Sequence, residues 1–259
     1  NETYFYEKIS HLIENTPKYL GSFKSNKKDA IILENLYTYK GVFNINLNKN
    51  ISKLLNVVNI IHHIHKSFYF ISEEQLMSNM KNLKKINEIK YFKELIHKRY
   101  DTFVTNVTQI LNNKEIQILQ HIYDNIDNIY DEASAFPLSF CHGDLKSPNI
   151  FYKNHMEPIL LDWQYIHLNK GISDIVFLLV ESIDFDIMTA TIVLNYYYKL
   201  HNESHPISYE TFMCDFKNAL CIFPFFVCVW FNSEQNDKLL DHVFLRFLKN
   251  LMQYYNHYM

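Results

Sequence analysis

Along most of this chain apolar residues return every three or four positions, the interval of helices with one buried face. Phe5, Ile9, Leu12 and Ile13 set that interval at the start and stop at Thr16-Pro17, which predicts a short opening helix. Tyr19 to Phe23 and the continuous run Ala30-Ile31-Ile32-Leu33 predict two strands, with the polar stretch Lys24 to Asp29 as their turn. Glu34-Asn35-Leu36 leads into a polar connector ending near Asn50, the expected hinge between two parts of the chain. Ile51 to Phe70, apolar at 51, 54, 55, 57, 58, 61 and 64, predicts a long amphipathic helix. Glu73 to Asn112 keeps helical periodicity without strand signal, and Lys114 to Ile129 predicts one more helix around Ile116, Ile118, Leu119 and Ile122. Strand character returns at Leu138 to Cys141, Ile150-Phe151-Tyr152 and Ile159-Leu160-Leu161, with Lys153 to Pro158 closing the last two into a hairpin. From Ser173 onward every segment reads as helix. The longest apolar run, Ala219 to Phe231, is too short to span a bilayer and predicts a buried helix that bends or restarts at Pro224. The pattern is that of an α+β chain with a small strand-bearing part ahead of a larger helical one.

Composition narrows the function classes. Of 259 residues 48% are hydrophobic and 20% charged, enough for a substantial core and too apolar for disorder. A net charge of −3 gives no case for a nucleic-acid or anionic-membrane partner. Four glycines leave no room for a Gly-rich phosphate loop. Of the four cysteines, Cys214, Cys221 and Cys228 lie seven apart on one expected helix stripe, in steps of about 10 Å. That spacing is too long for a disulfide or a shared metal between neighbours, so core packing is expected. Reduced thiols and the absence of an apolar leader fit a cytoplasmic protein.

The chemistry concentrates in Phe140-Cys141-His142-Gly143-Asp144-Leu145-Lys146-Ser147-Pro148-Asn149 and in Asp162-Trp163-Gln164. An Asp, an Asn five positions on and a second Asp after an apolar hairpin are the residues kinase-like folds use for phosphoryl transfer. Asp144 is the candidate catalytic base, since transfer to a hydroxyl needs a carboxylate beside the nucleophile. Asn149 and Asp162 offer the hard oxygen ligands that magnesium takes. Lys146 is placed beside the transferred group if the loop follows the kinase path, and a solvated lysine is the alternative. His142 and Gly143 read as architectural, the His holding the loop through backbone and the Gly allowing a strained turn. Ser173-Asp174 reads first as a helix N-cap, and Asp174 as a further support for the loop.

These residues, with Gly171 and Asp174 followed by Phe177-Leu178-Leu179, resemble the aminoglycoside phosphotransferase and choline kinase-like superfamily. Glu2-Thr3-Tyr4-Phe5-Tyr6, Ile32 to Leu36 and Ile64-His65 are similar to segments of its ecdysteroid kinase-like branch. The resemblance implies a two-lobed protein-kinase-like fold and phosphorylation of a hydroxyl on a small molecule, with ATP and Mg as cofactors. It implies residues 1–36 as the remnant of an incomplete N-lobe, helix C plus strands to the hinge. Residues 37–259 are then the helical C-lobe with catalytic loop and metal-binding hairpin. It implies further that Glu34, Asn35 and Leu36 contact the adenine through backbone, and that Glu2 pairs with a nucleotide-binding lysine. In the family that lysine and its strands precede the position of Glu2, so the sequence is expected to be a piece of a longer chain. The alternative expectation is a degenerate kinase-like binding or scaffold domain. A protein kinase is disfavoured by His-Gly-Asp in place of His-Arg-Asp, and by a gap from Asp162 to Asp174 too short for an activation segment.

Overall fold

Seven residues cannot hold a helix in water by themselves. Glu2–Lys8 nevertheless forms α1, because Phe5 and Tyr6 are buried against the rest of the protein. The Phe5 ring stacks on Trp163 with centroids 4.1 Å apart, and Phe140 lies parallel to Phe5, about equally far from both rings. The computed structural model describes residues 1–24, 29–80, 82–231 and 242–259. In these, β1 (Tyr19–Lys24) pairs antiparallel with β2 (Asp29–Leu33), as the apolar runs predict. The tip of the expected turn, 25–28, lies outside the described residues.

The connector after Leu36 does more than span a gap. Gly41–Phe43 forms β3 and pairs with β6 (Ile150–Lys153), Val42 opposite Tyr152, while β6 closes the expected hairpin with β7 (Glu157–Leu160). Glycine is required at 41, since a Cβ there would collide with the Phe151 ring and the Tyr152 carbonyl.

A second sheet departs from expectation. Helix α2 (Ile51–Ser67) ends three residues early, and Tyr69–Phe70 becomes β4, with Tyr69 opposite Ser139 of β5 (Leu138–Cys141). Three consecutive aromatics crowd a helix but fit a pleated surface, and the Phe68 carbonyl accepts from Phe140 N–H at 3.0 Å. On its other edge β5 takes β8 (His167–Asn169), a strand the sequence hides because two of its three buried residues are polar.

The helical part follows. Helices α3 (Glu73–Met80) and α4 (Lys90–Val107) precede α5 (Asn113–Asp124) and α6 (Ile126–Ala133). The single helix expected over 114–129 is thus two. Asn125 breaks it, its side chain taking the His121 carbonyl at 2.8 Å that a continuing helix would have used. Then come α7 (Ile172–Ser182), α8 (Ile187–Ser204), α9 (Tyr209–Leu220), α10 (Phe223–Phe231) and α11 (His242–Tyr258). Tyr209–Phe231 is long and apolar enough to cross a membrane by length and composition, but it breaks at Cys221-Ile222 and most of it is buried in the fold. The restart at Phe223 puts Pro224 in a first turn, where its missing N–H costs nothing. The same break takes the three cysteines off one stripe: Cys221 and Cys228 are buried, whereas Cys214 is exposed, and all four are free. One continuous core joins α1 to α11, with a smaller cluster of Leu36, Phe151 and Ile159 under the connector.

Candidate active site

Strand β5 is fully buried and delivers the chain into a loop at His142. Gly143 turns that loop with φ +82°, and a Cβ there would collide with the Tyr165 carbonyl, so glycine is required twice over. The imidazole of His142 donates through Nε2 to the Leu161 carbonyl at 2.9 Å and accepts the Asp144 N–H on Nδ1 at 3.2 Å. Complete burial lowers its pKa, so it is neutral and serves as a brace between the loop and the strand leading to Asp162. The architectural expectation for His142 and Gly143 holds.

Asp174 corrects its first reading. It is not the cap of α7, since Gly171 occupies that position and Asp174 sits inside the first turn. Its carboxylate turns inward and accepts the His142 N–H at 2.8 Å, the Gly143 N–H at 2.9 Å and His65 Nε2 at 3.0 Å. Burial alone would raise its pKa, but these donors hold it below the usual value. His65 in turn meets the Tyr197 hydroxyl through Nδ1 at 2.9 Å. A chain of buried polar groups thus fixes the backbone just ahead of Asp144.

Asp144 lies 4% exposed beside the loop's other polar groups. Lys146 Nζ reaches its Oδ2 at 2.9 Å, and Asn149 Nδ2 donates to the same oxygen at 3.1 Å and to the Asp144 carbonyl at 2.9 Å. Burial raises the Asp144 pKa to about 6, with Lys146 pulling the other way. Lys146 is therefore engaged with Asp144 rather than solvated. With its amide nitrogen committed to Asp144, Asn149 keeps its Oδ1 as the atom to meet a cation. Asp162 follows β7 in the left-handed region, φ +64°, which Asp tolerates better than most residues. Among the described residues its carboxylate has one hydrogen-bond partner, Gln164 Nε2 at 3.4 Å, and the Leu161 N–H donates to the Asn149 carbonyl at 2.9 Å, so the two segments that offer hard oxygen ligands run side by side.

Glu2 comes to the same place. Burial first, and then the Asp162 charge, raise its pKa, while the Trp163 backbone N–H donates to it. An open groove of about 490 Å³ lies between Glu2, Ile31, Leu33 and Gln164. Glu34 accepts Lys18 N–H at 2.9 Å and the Tyr39 hydroxyl at 2.7 Å, and Asn35 accepts Tyr37 N–H at 3.0 Å, so both side chains are spent on shaping the connector. Leu36 is buried in the small cluster.

On the far side of Asp144 a cavity of about 390 Å³ opens, lined by Asp144, Lys146 and Asp162 and faced by Phe177, Phe223, Phe226 and Trp230. Glu181 and Arg246 also line it. Trp230 stands out in the sequence only as one of many C-terminal aromatics and Phe177 only within the run after Asp174, and Phe223 and Phe226 do not stand out at all, because aromatics make up 16% of the chain and most serve the core. Ser182 was missed as well: its hydroxyl accepts the Ser147 N–H at 2.7 Å and donates to Glu181 at 2.7 Å, tying the end of α7 to the loop.

The sequence profile of the ecdysteroid kinase-like family matches residues 3–209. None of the curated proteins matches the chain. Among solved structures, choline kinase LicA from Streptococcus pneumoniae is 18% identical, with a TM-score of 0.60 covering 98% of this chain and 80% of that one. Ethanolamine kinase from Plasmodium vivax is 15% identical at a TM-score of 0.57, covering 98% and 70%. Spectinomycin phosphotransferase, solved with ADP and spectinomycin, is 14% identical at 0.61, covering 95% and 79%. At such identities the likeness establishes the fold, the kinase-like α+β arrangement with a helical C-terminal part.

Proposed function

This chain belongs to the ecdysteroid kinase-like family, and we propose that it is an ATP- and magnesium-dependent phosphotransferase acting on a hydroxyl of a small molecule. One observation carries the reading: Asp144, braced by Lys146 and Asn149, stands with Asp162 at the wall of a partly open cavity faced by aromatic side chains. In this reading residues 1–36 belong to the nucleotide-side lobe and 37–259 carry the catalytic loop. The adenine lies against the backbone of Glu34, Asn35 and Leu36. There the Asn35 carbonyl is already taken by Thr38 and the Glu34 N–H by the Lys18 carbonyl, and among the described residues the Glu34 carbonyl and the Leu36 N–H are left for the base. Glu2 is the helix carboxylate that holds a nucleotide-binding lysine.

The acceptor sits in the aromatic cavity with its hydroxyl at Asp144. The carboxylate orients that hydroxyl along the transfer axis and takes its proton as the phosphoryl group arrives. Lys146 keeps the carboxylate ionised in a buried place and neutralises charge gathering on the transferred group. Asn149 Oδ1 and Asp162 would hold magnesium, which supplies charge neutralisation between the nucleotide phosphates. A cavity so rich in aromatic carbon favours an acceptor with a large apolar body over a heavily hydroxylated one.

The test is consumption of ATP by the full-length protein with a panel of apolar alcohols, amino alcohols and aminoglycosides. Asp144→Ala is expected to lose at least about a thousandfold in kcat while keeping nucleotide binding. A variant as fast as wild type would overturn the assignment.

A further inference from the structure

Behind the catalytic loop, across the chain of Asp174, His65 and Tyr197, lies a second cavity of about 160 Å³ that shares no lining residue with the one beside Asp144. Its walls are aromatic, formed by Tyr69, Phe136, Tyr197 and Phe212. Two charged groups of opposite sign, Lys170 and Asp215, also line it. They are close enough to sense each other's charge and yet do not pair. Lys170 Nζ donates instead to the Ala135 carbonyl at 2.7 Å and to the carbonyl of Pro137, itself a lining residue, at 3.1 Å, which leaves one N–H over. Among the described residues the Asp215 carboxylate makes no hydrogen bond or ion pair at all.

A half-buried carboxylate without a partner is costly, and so is an ammonium with an unused donor. Burial raises Asp215 and lowers Lys170, each disfavoured in its charged form. A ligand carrying both an ammonium and a carboxylate satisfies the two together, whereas a simple cation leaves Lys170 as it is and a simple anion leaves Asp215. The aromatic walls suit the ammonium's alkyl shell and its charge. Size adds a limit: a cavity of about 150 Å³ takes benzene, so this one takes roughly six to eight non-hydrogen atoms.

We propose that this cavity is a binding site for a small zwitterion, of the size of an α-amino acid or a betaine, with its ammonium on Asp215 and its carboxylate on Lys170. The site is independent of the phosphotransfer reading.

Isothermal titration of the full chain with L-valine and with glycine betaine tests it, with tetramethylammonium and propionate as half-ligands. Saturable binding of at least one zwitterion is expected, tighter than either half-ligand. Asp215→Asn, with its fold checked by circular dichroism, is expected to weaken it at least about tenfold, and Asp144→Asn to leave it unchanged. The proposal falls if neither zwitterion saturates, if Asp215→Asn binds like wild type, if Asp144→Asn abolishes binding, or if a half-ligand binds as tightly.

Discussion

Asp144 is charged against its surroundings. Burial moves its pKa to about 6 from the ordinary 3.8, so the folded state prefers the protonated acid. Its contribution to stability is then present in full below pH 3.8 and lost as pH rises through 6. Asn imitates the protonated acid and keeps the contact with Asn149. Asp144→Asn is therefore expected to be more stable than wild type at pH 7 by about 2–3 kcal/mol, the gap closing below pH 4. Urea unfolding of the metal-free protein at both pH values checks this. Gly143 carries the opposite expectation. Gly143→Ala forces a side chain into a left-handed turn and onto the Tyr165 carbonyl, so the loop must move. The expected loss is roughly 3 kcal/mol or more, set by strain and overpacking together, and thermal unfolding measures it. At this scale spacing made Asp144, Asn149 and Asp162 legible, since chain distance follows directly from the loop and hairpin that separate them. Asp174 was only half legible. A Ser-Asp pair before an apolar run looks like a cap in any sequence, and only the fold turns that carboxylate toward two amides 31 and 32 residues away.

Elements show where local pattern yields to partners. Helix α1 exists by virtue of Phe5, whose ring is sandwiched onto Trp163 in a part of the chain far away in sequence. Phe5→Ala should cost about 3–5 kcal/mol, as large core truncations do, and release the seven-residue helix with it. A drop in the urea midpoint, together with a change in Trp fluorescence under native conditions, would report both. Unchanged stability would mean that α1 is held by something else. Strands β4 and β8 teach the same lesson from the other side. Neither has more than three residues, and each exists because β5 offers it an edge. The long helices α2, α4 and α8 were legible because burying one face of a helix repeats a residue type at fixed intervals. A two-residue strand leaves no period to read. The break at Asn125 escaped notice for a related reason: the apolar stripe continues across it, while the polar side chain that ends the helix sits off the stripe.

For the molecule as a whole, acid should be destabilising in a defined window. Burial holds His142 and His167 below the ordinary 6.5, His62 at about 3 and His201 at about 4. The unfolded chain takes up these protons as pH falls through 6.5 and the fold does not, so stability is lost from there downward. Asp144 and Asp215 bind protons first in the folded state and offset part of the loss. The net expectation is a fall of roughly 2–3 kcal/mol per pH unit near pH 5, read from urea midpoints between pH 7 and 4.5. A flat profile would mean that these histidines are solvated. By itself the sequence determined the helical character of most of the chain, the hairpin ahead of Asp162 and the candidate residues of the site, because each of these is written in short-range spacing. Tertiary structure alone decided that Glu2 meets Asp162, that Asp174 and His65 hold the loop, and that scattered Phe and Trp residues from α7 and α10 gather into one cavity. Those pairings depend on which distant surfaces bury each other, and burial between distant segments leaves no period in the chain.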